Sequence, residues 1–478
     1  MTTDTNTTPR VGVAFAAIVL AMLPAVLDQT ILAVALPVIA GDLGSLSDVS
    51  WVVSAYVVAA AAATPLWGKL GDRHGRKLLL QVALVAFVAT SALCSVAADI
   101  PQLVALRAVQ GAAAGGLMTL AMAVVGDLVA PRERGRYQGY IAATFAVATI
   151  VGPLVGGALV DGAGWRWVFL VNLPVGAAAL VGLQLRLPGR PPARPEHPLD
   201  IAGAALLAGA TTALTLECIL GGGRFGWGAP PSLALIAGGV VLTVALVARE
   251  RRAADPIVPL TMLRMRAIAV SSSALFLATA ALFAVTVFVP LYLQATTGAT
   301  PTEAGLLLVP AMLGITVSAT LSGRSITRTG RYKRFPVAGL SLMTVALLVL
   351  AAVAPATSRA ATGLGLALFG LGFGMVTQVL VIAVQNGVDR RELGVATAAT
   401  GFFRGLGGAV GAAVLGAVFA AVAGTHVGEG GMRALGAGSR DDIIDAVRAV
   451  FLVAAPLAAL ALAVVLRLPE RPLSRSAG

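Results

Sequence analysis

Charged residues are scarce in this sequence: they make up 12% of its 478 positions, whereas hydrophobic residues make up 58%. Soluble proteins carry about 25% charged residues. A chain this poor in charge is not expected to fold as a water-soluble enzyme or binding domain. The few charges also gather in short islands between long apolar runs, which is typical of an integral membrane protein.

Cysteine, histidine and lysine are also rare, and each shortage removes a class of chemistry. The two cysteines, Cys94 and Cys218, lie alone in apolar runs and leave no disulfide framework or metal cluster. The three histidines are too widely separated to indicate a metal site. None of the three lysines precedes serine or threonine, so no phosphate-binding P-loop is present. We therefore predict no enzyme activity and no cofactor, with an ion gradient as the energy source.

The sequence does contain many apolar runs that are long enough to cross a bilayer. A spanning helix needs about 20 apolar residues, and fourteen runs meet that requirement. They lie near 12–39, 50–69, 78–98, 102–126, 138–160, 167–186, 199–220, 231–248, 268–293, 304–323, 336–355, 360–385, 394–423 and 446–466. The predicted fold is an all-α integral membrane protein with fourteen transmembrane helices.

The distribution of positive charge predicts the orientation of these helices. If residues 1–11 are cytoplasmic and the helices alternate, 26 of the 34 lysines and arginines fall in inner segments and six in outer ones. The other two, Arg107 and Arg404, lie inside predicted helices. This asymmetry follows the positive-inside rule. The net charge of +12 is thus a topology signal rather than a sign of nucleic-acid binding. We predict a multi-pass protein of the cytoplasmic (inner) membrane with both termini cytoplasmic.

A short charged motif occurs twice. Gly68-Lys-Leu-Gly-Asp-Arg-His-Gly-Arg-Lys77 is followed 255 residues later by Gly323-Arg-Ser-Ile-Thr-Arg-Thr-Gly-Arg331. Both copies have two glycines seven positions apart, with an arginine two before the second glycine and another directly after it. The second copy has Thr327 where the first has Asp72. The repeat predicts a chain of two related halves, in which the glycines permit a tight reversal.

The positions of the two copies predict the domain organisation. They follow predicted helices two and ten, so two additional helices lie between two six-helix halves. We predict an N-terminal six-helix bundle at 1–186 and a C-terminal six-helix bundle at 267–478. Residues 187–266 are predicted to hold cytoplasmic linkers and two inserted transmembrane helices.

Two opposite charges are predicted at similar depths in the membrane. At 1.5 Å per residue, Asp28 lies about 24 Å along the first helix, and Arg107 about 9 Å from the outer end of the antiparallel fourth helix. Each charge costs about 2.5–3.5 kcal/mol on insertion scales, so each is expected to face a partner or cavity. Gln110 follows Arg107 on the same helix face. A functional pair and a purely structural interhelical pair both fit this pattern.

Several segments resemble those of a known family. The motif at 68–77 resembles the loop between the second and third helices of major facilitator superfamily transporters, and Arg107-Ala-Val-Gln-Gly111 resembles a segment associated there with proton coupling. Val151-Gly-Pro-Leu-Val-Gly-Gly157 resembles an antiporter signature, although Ala148 replaces its expected leading glycine. The segments Leu27-Asp-Gln-Thr-Ile31 and Trp165–Gly176 resemble fourteen-helix drug:proton antiporters of the multidrug efflux type.

The resemblance implies roles for particular residues. Proton or substrate coupling is expected at Asp28, Arg107 and Gln110. A latch that closes the inner gate is expected at Gly68, Asp72, Arg73, Gly75, Arg76 and Asp127, although Asp127 also fits a solvated helix end. A bending or rocking helix is expected at Gly152, Pro153, Gly156 and Gly157, for which a plain packing kink is the alternative.

Glu217 is a further acid inside an apolar run. It lies late in the first inserted helix, about 27 Å from the inner end. It is either a second proton or cation site, or an acid that reaches the outer membrane surface.

The resemblance implies an antiporter that exports lipophilic, cationic drugs or natural products by alternating access, driven by a proton gradient. The expected partners are a small lipophilic substrate, protons and the bilayer, and the expected state is a monomer. An exporter of an endogenous lipid or metabolite would carry the same motifs. A receptor or scaffold without transport would need neither Asp28 nor the antiporter-like segment.

Overall fold

The structure, a computed structural model, describes residues 8–43, 46–189, 198–221, 226, 228–298, 303, 306–423, 440–470 and 473. The regular secondary structure of these residues is helical throughout. Helices satisfy their own backbone hydrogen bonds, as the hydrocarbon interior of a membrane requires. An all-α fold is therefore the expected outcome for a sequence of long apolar runs.

Fourteen helices of 15 residues or more occur among the described residues, and we number them α1 to α14 in chain order. They are Thr8–Leu43, Leu46–His74, Arg76–Cys94, Ile100–Leu128, Arg134–Gly162, Asn172–Arg186, Ile201–Leu220, Pro230–Glu250, Arg266–Thr297, Val309–Thr329, Arg334–Val353, Arg359–Gln385, Leu393–Ala423 and Arg440–Val465. The short helices Trp167–Leu170 and Leu260–Arg264 precede α6 and α9.

Thirteen segments of the described residues are helical, long enough and apolar enough to cross a membrane. This makes the chain a multi-pass membrane protein. The tenth predicted run coincides with α10, Val309–Thr329, which is a long helix but is not one of the thirteen. The number of fourteen membrane-spanning helices therefore stays a prediction.

The repeated charged motif is more helical than expected. Helix α2 continues to His74, so Gly68 lies inside a helix and not in a reversal. The chain turns at Gly75, whose φ of 95° lies in the left-handed region that glycine adopts without strain. Gly330 has the same role in the second copy, with a φ of 72°. Only the second glycine of each copy makes the turn, which leaves the first glycine available for close packing.

The hydrophobic cores follow the order of the chain. The largest cluster of buried residues lies between 270 and 473. Two others draw only on residues 14–187 and 31–171. Residues before about 187 thus pack mainly with one another, as do those after 270.

The inserted helices α7 and α8 pack against each other, and α7 also packs against α2 and α13. At the α7 N-terminus, Asp200 accepts hydrogen bonds from the N–H of Gly203 and from Nε of Arg249, both at 3.0 Å. The bond from Arg249 lowers the pKa of the Asp200 carboxyl. Most of the preceding predicted linker, at 190–197, lies outside the described residues.

Candidate functional site

Asp28 and Arg107 form an ion pair between α1 and α4. Arg107 Nη1 lies 2.5 Å from Asp28 Oδ2. The two side chains are 1% and 0% exposed, so the pair is sealed inside the protein. The shared depth inferred from the rise per residue thus corresponds to a direct contact.

Two amide side chains complete the surroundings of the Asp28 carboxylate. Gln110 Nε2 and Asn172 Nδ2 donate to Asp28 Oδ1 at 3.3 and 3.2 Å. Gln110 also accepts a 2.7 Å hydrogen bond from Arg107 Nη1. The carboxylate therefore receives three N–H donors.

Asn172 is a site residue that sequence reasoning missed. Its amide also donates to Ser91 Oγ at 3.0 Å, and Ser91 in turn donates to the carbonyl of Phe169 at 2.8 Å. These bonds fix the amide so that its N–H groups face Asp28. Asn172 is the first residue of α6. It lies in the segment 165–176, whose resemblance to drug:proton antiporters does not indicate that Asn172 contacts Asp28.

Arg107 also contacts the face of an aromatic ring. Its guanidinium carbon lies 4.2 Å from the ring centroid of Tyr56 on α2. The Tyr56 hydroxyl donates to the carbonyl of Ala25 on α1, at 3.2 Å. A cation over an aromatic face is attracted to it, so Tyr56 connects α1, α2 and α4 around the ion pair.

The predicted latch residues meet at the inner end, which we define as the end predicted to be cytoplasmic. Arg76 Nε donates to Asp72 Oδ1 at 2.9 Å, and Arg76 Nη1 pairs with Asp127. Asp72 also accepts the backbone N–H groups of Gly394 and Val395, both at 2.9 Å. A carboxylate here is stabilised by the exposed N–H groups and dipole of the α13 N-terminus. The cluster therefore joins the two halves.

Glycine allows α2 and α13 to pack closely where they cross at the inner end, a contact that we call the first crossing. A Cβ built at Gly68 would lie 2.5 Å from Cβ of Ala398 and 2.7 Å from the carbonyl oxygen of Gly394. Any side chain at Gly68 would therefore push α2 and α13 apart.

Arg73, which was predicted to belong to the latch, pairs outside the Asp72 cluster. Its Nη1 lies 3.2 Å from Oδ2 of Asp255, and Lys69 also pairs with Asp255. Asp255 follows the second inserted helix, α8. Arg73 thus ties α2 to the inserted segment, because its side chain leaves the helix on a different face from Asp72.

A second crossing joins the halves where α10 meets α5. Here Gly323 and Gly135 pack so closely that a Cβ at either would clash with the carbonyl oxygen of the other. Arg132 Nε donates to the carbonyl of Thr327 at 2.7 Å, and its Nη2 donates to the carbonyl of Arg328. Whereas an acid caps a helix N-terminus at the first crossing, a cation caps a helix C-terminus at the second.

Arg134 adds a third link between the halves. It is 3% exposed and donates to the carbonyls of Gly126 at 2.6 Å and Gln385 at 3.1 Å. These carbonyls lie near the C-terminal ends of α4 and α12. The sequence alone gives no indication that Arg134 caps these two helix ends.

The predicted rocking helix, α5, packs beside Asp28. A Cβ at Gly152 would overlap Thr30, and one at Gly156 would lie 2.9 Å from the carbonyl oxygen of Ile31. Gly157 faces open space instead. Helix α5 is continuous through Pro153, from Arg134 to Gly162. The two inward glycines therefore bring α5 against the α1 turn that follows Asp28.

Two interior charges remain apart from these clusters. Glu217 is 4% exposed, and neither carboxylate oxygen has a hydrogen-bond partner in the part of the chain that is described. Arg404 likewise has no hydrogen bond or ion pair to any described residue. No group of three or more His, Cys, Asp or Glu side chains suited to a metal ion occurs among the described residues.

Comparison with known sequences identifies similar proteins. The profile described as Major Facilitator Superfamily matches residues 18–412. The chain is 33% identical over 407 residues to the multidrug transporter protein MdtP of Bacillus subtilis, covering 85% of this chain and 75% of that one. It is 39% identical over 411 residues to the uncharacterized MFS-type transporter Rv1877 of Mycobacterium tuberculosis, covering 86% of this chain. It spans only 60% of the length of that mycobacterial protein.

Solved structures show the same fold at low identity. The human organic anion transporter MFSD10 superposes with a TM-score of 0.65 at 18% identity, over 96% of this chain and 99% of that one. The proton:xylose symporter XylE superposes with a TM-score of 0.66 at 13% identity, over 97% of each chain.

Proposed function

Because the chain belongs to the major facilitator superfamily, we propose that it exports lipophilic, cationic drugs or natural products in exchange for protons. The similarity to a named multidrug transporter at 33% identity supports drugs as the transported compounds. The proposed location is the cell membrane, with both termini cytoplasmic and a monomer as the working unit.

The observation that carries the proposal is the buried carboxylate of Asp28. It is 0% exposed and lies in the middle of α1. A buried acid at this depth costs stability relative to an apolar residue, so its presence indicates a function. Its only cationic partner among the described residues is Arg107. Acids buried inside membrane helices commonly serve proton pathways, so Asp28 is the proposed proton carrier.

Proton binding at Asp28 would change the contacts between helices. A protonated carboxyl presents an O–H where the N–H donors of Arg107, Gln110 and Asn172 now point. Protonation also removes the negative charge that attracts Arg107, which weakens the link between α1 and α4. Helix α5 packs on the next turn of α1 through Gly152 and Gly156, so this change reaches the helix proposed to rock.

The latch at Asp72, Arg76 and Asp127 holds the inner end closed in this proposal. Opening toward the cytoplasm must break the bonds from Gly394 and Val395 to Asp72. Cytoplasmic substrate would enter after that break, and closure would re-form the latch while the outer side opens. Entering substrate and the proton on Asp28 would thus occupy the interior alternately.

The test uses purified protein in liposomes with a pH-sensitive dye inside and an imposed pH gradient. Ethidium is added as the lipophilic cation, and proton flux is recorded for the wild type and for Asp28→Asn. Flux that depends on ethidium and disappears in Asp28→Asn is the expected result. The substitution keeps the shape of the side chain but removes its negative charge, which pairs with Arg107, as well as its ability to carry a proton.

Two other outcomes would change the proposal. Ethidium-driven flux that persists in Asp28→Asn would retain antiport but remove Asp28 as the carrier, with Glu217→Gln as the next variant. An absence of flux with several lipophilic cations would contradict cation export and favour a neutral lipid or metabolite.

A further inference from the structure

Arg404 carries a charge in the middle of the bundle without a protein partner. It lies 11 residues after the start of α13, or about 16 Å along a helix that crosses a core of about 30 Å. No described residue makes a hydrogen bond or an ion pair with it. A guanidinium at this depth cannot reach either membrane surface, so it requires a partner from inside the protein.

The neighbours of α13 show which way Arg404 faces. Gly401 faces α2, since a Cβ there would lie 3.5 Å from Cγ2 of Thr64. Gly407 packs against the backbone of Phe276 on α9. Position 404 lies between the α2-facing and α9-facing sides of the helix, because residues three and four apart are neighbours on a helix surface. Arg404 therefore points between the two halves and not toward lipid.

Gln378 on α12 lies at the same depth as Arg404. The antiparallel helices α12 and α13 are registered by a 3.2 Å hydrogen bond from Gln385 Nε2 to Thr397 Oγ1. Gln378 precedes Gln385 by seven residues, and Arg404 follows Thr397 by seven. Gln378 and Arg404 therefore both lie about 10 Å outward of this hydrogen bond, on nearly the same faces of their helices. The side-chain oxygen of Gln378 is buried and has no partner among the described residues.

Thr279 on α9 adds a third polar group on this side. A Cβ at Gly408, one turn after Arg404, would lie 3.7 Å from Cγ2 of Thr279. The Thr279 hydroxyl is also buried without a partner in the part of the chain that the structure describes. Three helices of the C-terminal half thus carry polar groups that lack partners among the described residues, within about two helical turns of the level of Arg404. Of these groups, Arg404 and Thr279 are donors and the Gln378 oxygen is an acceptor.

We propose that Arg404, Gln378 and Thr279 form a substrate subsite that binds a carboxylate or another anionic oxygen group. The inference rests on the proposed function, since it places the substrate between the halves. A guanidinium binds such a group through paired N–H donors, and the Thr279 hydroxyl can add another donor. The Gln378 oxygen is an acceptor and suits an N–H or O–H group beside the anion. Within the proposed class of lipophilic cations, the preferred substrates are then zwitterions in which an anionic oxygen group accompanies a cationic amine.

A matched pair of dyes tests this subsite. Rhodamine 110 carries a free carboxylate, and rhodamine 123 is its methyl ester, so the two differ at the group in question. Binding of each to purified protein in detergent is measured by fluorescence anisotropy, without any proton gradient. We expect wild-type protein to bind rhodamine 110 about tenfold or more tightly than rhodamine 123, as a charge-assisted hydrogen-bonded pair would give.

Variants assign the preference to Arg404. Arg404→Gln is expected to reduce the preference for rhodamine 110 to less than about twofold, whereas Arg404→Lys retains part of it because the charge remains. Arg467→Gln, which removes an exposed arginine elsewhere in the C-terminal half, should leave the preference unchanged. Size-exclusion profiles and melting temperatures establish that each variant is folded.

The outcomes separate this inference from the proposed function. Equal binding of the two dyes by wild type, binding of neither dye, or a preference that survives in Arg404→Gln would overturn the subsite. A preference that depends on Arg404, together with no substrate-driven proton flux in liposomes, would retain the subsite and contradict antiport. Proton flux together with equal binding of the two dyes would retain antiport and contradict the subsite.

Discussion

Arg107 and Arg404 each place a guanidinium inside the bundle, one in each half, and their surroundings differ. Arg107 pairs with Asp28, bonds to Gln110 and lies over the ring of Tyr56. Arg404 has none of these kinds of partner among the described residues. The first arginine is held as part of the fold, whereas the second is available to a ligand. The comparison predicts opposite effects on stability when each arginine is removed.

Loss of the Arg107 side chain is the largest effect that we expect. Arg107→Leu leaves the Asp28 carboxylate buried without its cation, which costs about 3–5 kcal/mol when one partner of a buried pair is removed. Arg404→Leu leaves no partner behind, removes a charge from the apolar interior and is expected to keep or raise stability. Melting temperatures of the purified variants in detergent measure the difference.

The double variant Asp28→Leu/Arg107→Leu controls for the pairing. Removing both charges abolishes the unpaired carboxylate, so it should recover much of the stability lost in Arg107→Leu. Equal melting temperatures for Arg107→Leu and Arg404→Leu would show that the two arginines do not differ in the way described.

The two crossings at the inner end show a similar contrast. At the first, Asp72 binds two N–H groups of α13 in the other half. At the second, the Thr327 hydroxyl donates to the carbonyl of Gly323, at 3.0 Å in its own helix. The repeated motif therefore joins the halves through a side chain in one copy and through backbone carbonyls, capped by Arg132, in the other.

Asp72→Asn should impair transport much more than Thr327→Ala. The asparagine loses the charge that pairs with Arg76 and that suits the α13 N-terminus, and charge-assisted bonds contribute about 1.5–3 kcal/mol. We expect a loss of at least about tenfold in ethidium-driven flux for Asp72→Asn, against less than about twofold for Thr327→Ala. Equal, negligible losses in the liposome assay would remove Asp72 from the latch.

Arg132→Gln tests the second crossing and should have an intermediate effect. The side chain caps the carbonyls of Thr327 and Arg328 at the C-terminus of α10. A cation at this position contributes about 0.3–1 kcal/mol and is screened by salt. We expect a two- to fivefold reduction in flux at low ionic strength, which becomes smaller at high salt. A loss as large as that of Asp72→Asn would mean that the crossings are equivalent.

The family and the all-helical membrane fold were predictable because both depend on local patterns, and both are confirmed. The length of each apolar run predicts a membrane-spanning helix, and the fixed rise per residue predicts the depth of a side chain in the membrane. These two rules predicted similar depths for Asp28 and Arg107. The contact between Asn172 and Asp28 was not predictable, because it depends on how α6 is rotated against α1. The α13 N–H groups at Gly394 are main-chain atoms and carry no signature in a side-chain pattern.

Arg73 shows the same limit and leads to the smallest expected effect. The motif grouped it with Asp72, but successive residues on a helix point about 100° apart, and Arg73 reaches Asp255 beyond the inserted helices instead. The side chains of this ion pair are 13% and 27% exposed, and exposed pairs contribute about 0–1 kcal/mol.

Asp255→Asn should therefore reduce ethidium-driven flux by less than about threefold. Because Asp255 also pairs with Lys69, its loss frees both cations of α2 from the inserted segment at once. The variant thus measures how far that segment contributes to the gate. A loss comparable to that of Asp72→Asn would make α7 and α8 a working part of the latch, whereas the expected small loss would confine the latch to the two halves.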